Sequence, residues 1–289
     1  MSAAAIVLLL IGLWALKPVF AKVRGLEKVA ALANLCFSIP LAVFGAEHFS
    51  AARGIMQIVP KFMPWPLFWT YLVGCALVAA ALSIATNIQV RWSGLLFGIM
   101  MFSFVAMMDL PGALATPRDR IAITLLLREL SFGGGGWILA GVALGERGWG
   151  KILINIGRVI LGVAAIYYGV EHFLHPLGMP GVPLEKEMPA WIPARVLIDY
   201  LTGVFLIIGG AAFLANKKTR AAATYLGGWI VLMVVIIYGP VLAVSLIDPS
   251  TAVKVEGLNY FFDTLLFGAV ILALAKACEK AGTDERLKN

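Results

Sequence analysis

The chain reads as apolar blocks broken by short connectors that hold most of the charge, at 3–16, 26–49, 67–85, 92–110, 121–144, 152–174, 196–215, 221–247 and 258–277. About 20 residues of helix cross a hydrocarbon core, and helices satisfy their own backbone groups there. The pattern therefore predicts an all-α membrane protein with nine transmembrane helices. The first block has a second reading, a secretory signal ending at Ala21. It lacks a positive leading region, and cleavage would leave Lys22, Arg24 and Lys28 outside, so it is read as a retained helix.

Alternate connectors differ in charge. One set holds Lys22, Arg24 and Lys28, then Arg91, then Arg147 and Lys151, then Lys217, Lys218 and Arg220, then Lys276, Lys280, Arg286 and Lys288. The other holds chiefly Arg53, Lys61, Arg118, Arg120, Lys186 and Lys254. Placing the richer set in the cytoplasm puts the N-terminus outside and the C-terminus inside, as expected for a bacterial cytoplasmic membrane.

The pattern also repeats. Pro60, Pro64, Tyr71, Leu72, Gly74, Asn87, Arg91, Gly98 and Pro111 match Pro189, Pro193, Tyr200, Leu201, Gly203, Asn216, Arg220, Gly227 and Pro240 at one offset of 129 residues. Upstream, Glu47-His48-Phe49 matches Glu171-His172-Phe173 at an offset of 124, so the second copy has five more residues before its Pro-rich segment. Each copy spans four predicted helices, an even number, so the two insert the same way up as parallel repeats. Three parts result: 1–25, an extra helix with a basic connector; 26–148, the first unit; and 149–289, the second unit with a charged tail. Gly133 to Gly136 lacks the Lys-Ser/Thr of a phosphate loop and lies inside a predicted span, which favours close helix packing.

Composition agrees: 61% hydrophobic residues, 13% charged residues and a mean hydropathy of +0.92 do not describe a soluble domain. The net charge of +7 fits loops beside anionic lipid and requires no nucleic acid. Cys36, Cys75 and Cys278 form neither a disulfide framework nor a Cys-x-x-Cys centre.

The chemistry-bearing residues cluster. All three histidines, His48, His172 and His175, lie in or just after the two Glu-His copies. Glu47, His48, Glu171, His172 and His175 are candidate proton-transfer groups, or else polar helix ends bonded to their own loops. Ala51 stands where the second copy has His175, so no symmetric metal pair is expected, and no metal site is assigned. Arg128, Glu129, Asp199 and Asp263 fall inside spans, where ionisable groups face the bundle interior as ligand contacts or as structural ion pairs. Glu129 is expected beside Glu47-His48, and Asp263 beside Glu171-His172. The second unit adds His175, Asp199 in place of Thr70, and a longer loop able to act as a lid, so it is expected to carry the main site. Trp65 and Trp191 read as interfacial belt residues or as the roof of a cavity.

A four-helix unit with Glu-His-Phe ending its first helix, a segment such as Met63-Pro64-Trp65-Pro66 or Pro189-Ala190-Trp191-Ile192-Pro193, and a Tyr-Leu-x-Gly second helix resembles the DoxX-like membrane proteins. The likeness covers nearly all residues after Leu26, twice over. It implies two four-helix DoxX-like repeats and adds Tyr71 and Tyr200 as ligand-binding candidates. It also implies a membrane partner of a quinone-linked oxidoreductase, with quinone as cofactor, a redox partner protein and the lipid bilayer as surroundings. The alternatives from the residues alone are a small-solute or ion permease and a non-catalytic membrane scaffold.

Overall fold

A computed structural model describes the backbone of residues 2–21, 23, 25, 27–145 and 148–286, and their side chains except those of 2–5, 8, 9 and 279–286. Lys22, Arg24, Arg147 and Lys288 of the predicted cytoplasmic clusters lie outside the described residues, as do the side chains of Lys280 and Arg286.

The described residues are helical, without a strand. In chain order the long segments are α1 (Ser2–Phe20), α2 (Glu27–Ser50, with a break at Leu32), α3 (Pro66–Thr86), α4 (Val90–Ala115), α5 (Arg120–Leu144), α6 (Trp149–Leu174), α7 (Arg195–Ala215), α8 (Thr219–Ile247) and α9 (Thr251–Arg286). Seven of them, α2 to α4 and α6 to α9, are long and apolar enough to cross a membrane. The other two predicted spans fall short for separate reasons. The apolar part of α1 is short over its described residues, Leu10–Phe20. At 25 residues α5 is long enough, but Arg120, Arg128, Glu129 and four consecutive glycines dilute its hydropathy.

Local chemistry explains the boundaries. Pro66 takes the first turn of α3, where its missing N–H costs nothing. Asn87 and Asn216 end α3 and α7 in the left-handed conformation that Asn tolerates. Asp119 caps α5, its Oδ1 accepting from the Ile121 and Ala122 amides at 2.9 and 3.4 Å. Pro176 follows α6 closely, and the helix stops at Leu174, before His175.

The centre of the bundle is α9: 83% of its apolar span is buried, against 28% for α4. It packs on α2, α5 and α8, while α5 also packs on α4 and α6. Glycine permits these approaches. A Cβ on Gly135 would come within 2.9 Å of the Val270 Cβ, and one on Gly134 within 3.2 Å of the Gly157 backbone. The run Gly133 to Gly136 thus packs helices, as its sequence context implied.

Several features recur at the sequence offset. Five-residue π turns interrupt α4 at Val105–Asp109 and α8 at Val234–Tyr238. Left-handed residues precede α3 and α7 at Trp65 and Ala194. Phe49 stacks on Tyr71 at 5.9 Å and Phe173 on Tyr200 at 5.4 Å, beside glycine contacts of Gly45 on Gly74 and Gly169 on Gly203. Parts of both short motifs therefore lock α2 to α3 and α6 to α7.

Candidate functional site

Two polar centres form toward the end of the bundle that carries the 51–65 and 175–194 segments, here termed the loop face. The first belongs to the second unit. His172, 1% exposed, has Nδ1 2.7 Å from Oδ1 of the fully buried Asp199. Its Nε2 lies 3.2 Å from both the amide and the carbonyl of Gly181. With Nδ1 donating to the carboxylate, Nε2 accepts from the Gly181 N–H, and the imidazole ties loop to helix.

That loop is packed into the bundle rather than laid on it. Residues 179–183 are buried. The Tyr238 hydroxyl donates to the Pro180 carbonyl at 3.0 Å, Arg195 to the Met188 carbonyl at 2.9 Å, Arg120 to the Pro183 carbonyl at 3.3 Å, and the Lys186 amide donates to the Tyr260 hydroxyl at 3.1 Å. Side chains from four helices thus hold loop backbone, and the predicted lid sits closed over the His172–Asp199 pair.

The first unit lacks this closure. His48 bonds only to its own helix, Nδ1 to the Phe44 carbonyl at 2.7 Å, and Thr70 in the place of Asp199 bonds to the Pro66 carbonyl at 3.0 Å. Glu47 and His48 are half-buried, and within the 51–65 segment only Ala52 is buried.

The second centre lies where α5 meets α9. Arg128 donates to Oε1 of Glu129 from Nε at 3.1 Å and Nη2 at 2.8 Å, and to Oδ2 of Asp263 from Nη1 at 2.7 Å. The three side chains retain 17, 16 and 12% of their surface. Asp109, in the π turn of α4, is close enough to interact with Arg128 and Glu129, and Glu47 with Asp263. One Asp109 oxygen, Oδ2, is buried without a partner. Asp263, expected beside Glu171 and His172, is instead bonded to Arg128. The reason is the facing of α9: it turns Asp263 to α5 and the next residue, Thr264, toward Gly181 of the loop.

Glu171 and His175 form a third contact, Oε2 to Nδ1 at 3.1 Å, with Arg120 Nη1 at 3.8 Å from the same oxygen. His172 and His175 therefore serve different carboxylates and do not converge on one point. Trp65 and Trp191 are 76 and 57% exposed. Tyr71 and Tyr200 stack outward on Phe49 and Phe173, away from both centres. The sequence reading missed Gly181, Thr124 and Tyr167; Tyr238 stands in register with Asp109, and that difference in residue type was the one signal that these two positions differ in role.

No family model, curated protein or solved structure matches the chain. Its reading rests on the geometry above.

Proposed function

We propose that this is a DoxX-like integral membrane protein of the bacterial cytoplasmic membrane, with nine crossing helices arranged as two parallel four-helix units after an extra first helix. Its interior cluster binds a quinone headgroup and exchanges protons with it. The recurrence of π turns, left-handed caps and stacked Phe–Tyr pairs at the repeat offset supports the two units. The positions of α1 and α5 beside helices of spanning length support nine crossings. The loop face is outside, and the protein works as the membrane subunit of an oxidoreductase system whose partner protein carries the electron-transfer centre.

One observation carries the ligand reading. Among the described residues, Arg128 is the one guanidinium bonded into a cluster that also includes the carboxyl groups of Glu129, Asp263, Asp109 and Glu47. An excess of acid within a membrane is balanced by protons or by a ligand that exchanges them. The residues suit a quinone: Arg128 is a donor for a ring oxygen, Glu47 and Asp109 are acceptors for its protons, and His48, next to Glu47 in sequence, is the candidate second donor. When bound, a quinone supplies reversible two-electron, two-proton chemistry. The chain's own part is to hold the headgroup, exclude bulk water and carry protons.

Quinone quantified in protein purified with its native lipid tests this reading. The wild type is expected to retain quinone. His48→Ala, whose imidazole holds no loop, is expected to bind at least about tenfold more weakly, the cost of one hydrogen bond to a polar ligand. Wild-type protein that neither retains nor rebinds quinone rejects the proposal and leaves the permease or scaffold readings.

A further inference from the structure

The seam between α5 and α6, which is also the seam between the two units, carries polar groups from the loop face inward to the Arg128 cluster. On α5, Arg120, Thr124 and Arg128 follow at four-residue spacing, which puts them on one face over about 12 Å of helix. On the antiparallel α6, Tyr167 and Glu171 follow at the same spacing, and His175 caps the helix. The side chains meet across the seam. Glu171 Oε2 is 3.1 Å from His175 Nδ1 and 3.8 Å from Arg120 Nη1, and the Tyr167 hydroxyl donates to the Arg120 carbonyl at 3.3 Å beside the Thr124 side chain. The Tyr168 hydroxyl donates to the Thr124 carbonyl at 3.0 Å.

Two buried atoms on this line are held by neighbours but not by well-formed hydrogen bonds. Glu171 is 6% exposed and its Oε2 meets His175 and Arg120 as ion-pair contacts; Thr124 is fully buried and its hydroxyl oxygen has the Tyr167 hydroxyl as its neighbour. Loosely held polar atoms in a buried seam cost stability, and two of them on one polar line call for a role beyond packing. At the outer end, His175 keeps 46% of its side-chain surface and lines a cleft of about 230 Å³ together with Arg120, Glu185 and Glu187. At the inner end stand Glu129 and Asp263, with Asp109 and Glu47 facing them from α4 and α2.

We propose that this seam is a proton port that loads the buried carboxylates from water at the loop face. His175 takes a proton in the cleft and hands it to Glu171 Oε2. The Tyr167 and Thr124 hydroxyls, each able to accept one proton while releasing another, pass it inward to Glu129 and Asp263. Only protons move, and no bond between heavier atoms is made or broken. Glu185 and Glu187 put negative charge at the rim of the cleft, which attracts cations to the entrance. The inference rests on the reading of the Arg128 cluster as a proton-exchanging site and does not require the ligand to be a quinone.

The test uses the full chain in lipid nanodiscs with no quinone added, followed by infrared difference spectroscopy after a pH jump. Asp263→Asn and Glu129→Gln identify the protonated-carboxyl band of the inner cluster. In the wild type that band should rise with the jump. Glu171→Gln and His175→Ala are each expected to slow its rise at least tenfold without moving its position, and Glu171→Asp should restore most of the rate. His175 is exposed, so its variant remains informative if Glu171→Gln fails to fold. An unchanged rate in His175→Ala, or no inner-cluster band in the wild type, overturns the port. Absence of quinone binding with a Glu171-dependent rise would reject the ligand assignment alone.

Discussion

At the scale of single residues the two Glu-His pairs, alike in sequence, do different work. His172 is bonded at both nitrogens, to Asp199 and to Gly181, whereas His48 is bonded only to Phe44 of its own helix. Removing His172 would leave Asp199, 0% exposed, without its partner, and breaking a buried polar pair from one side costs about 3 kcal/mol or more. His172→Ala should therefore unfold at markedly lower temperature in detergent, with proteolysis within 175–194, while His48→Ala should cost about 1 kcal/mol. Gly181 adds a second check on the same contact. Its φ of +117° disfavours any side chain, and a Cβ there would stand 3.0 Å from Thr264 Cγ2. Gly181→Ala is expected to cost about 1–2 kcal/mol and to loosen the loop in the same proteolysis assay. Equal stability of the two histidine variants would show that the loop is not held by His172.

At the scale of elements, what was legible followed from local chemistry and what was hidden followed from packing. Among the described residues hydropathy located the long helices, seven of which are apolar enough to cross a membrane, and Pro176 marked the end of α6. Asp119 and the two Asn caps were likewise readable one residue at a time. The π turns were not, because a shift of hydrogen-bond register leaves no fixed composition; Val105–Asp109 and Val234–Tyr238 have no residue in common apart from the opening valine. The buried stretch 179–183 was read as part of a lid, but its insertion depends on partners from α5, α7, α8 and α9 far away in sequence. The glycine run was legible as packing, and it permits a direct check. A Cβ on Gly135 meets the stiff Val270, whereas one on Gly54 meets nothing within 4 Å. Gly135→Ala should destabilise the bundle by about 1–3 kcal/mol through overpacking of α5 on α9. Thermal unfolding should show that loss, with Gly54→Ala close to wild type; a neutral Gly135→Ala would mean that α5 and α9 can separate freely.

At the scale of the whole molecule, the proposed port opens to whichever aqueous phase the loop face meets, and the proposed orientation makes that the outer one. The short connectors at the opposite end hold Arg91, Lys217, Lys218 and Arg220, and α9 extends past Lys276 on that side. Cations of this kind resist translocation, which is the basis for the proposed cytoplasmic placement of that end. The orientation also depends on α5 crossing, since without it the two units would face opposite ways and the loops 51–65 and 175–194 would lie on different sides. In the structure both loops are at one end of the bundle, because α4 and α5 pack along each other as an antiparallel pair and α5 does the same with α6. Burial of Arg128 and Glu129 against Asp263 would let α5 carry its charges across without exposing them to lipid, as the proposed architecture requires. Cysteines placed at the exposed positions Lys61, Glu185 and Lys217 in a chain with Cys36, Cys75 and Cys278 replaced by Ala settle the matter by labelling with a membrane-impermeant maleimide in intact cells. Lys61→Cys and Glu185→Cys should be labelled from outside, and Lys217→Cys only after the cells are opened. Labelling of Lys61→Cys and Glu185→Cys on opposite sides would mean that α5 does not cross and would end the two-parallel-unit architecture; labelling of both from the cytoplasm would keep the architecture and invert the direction of the port.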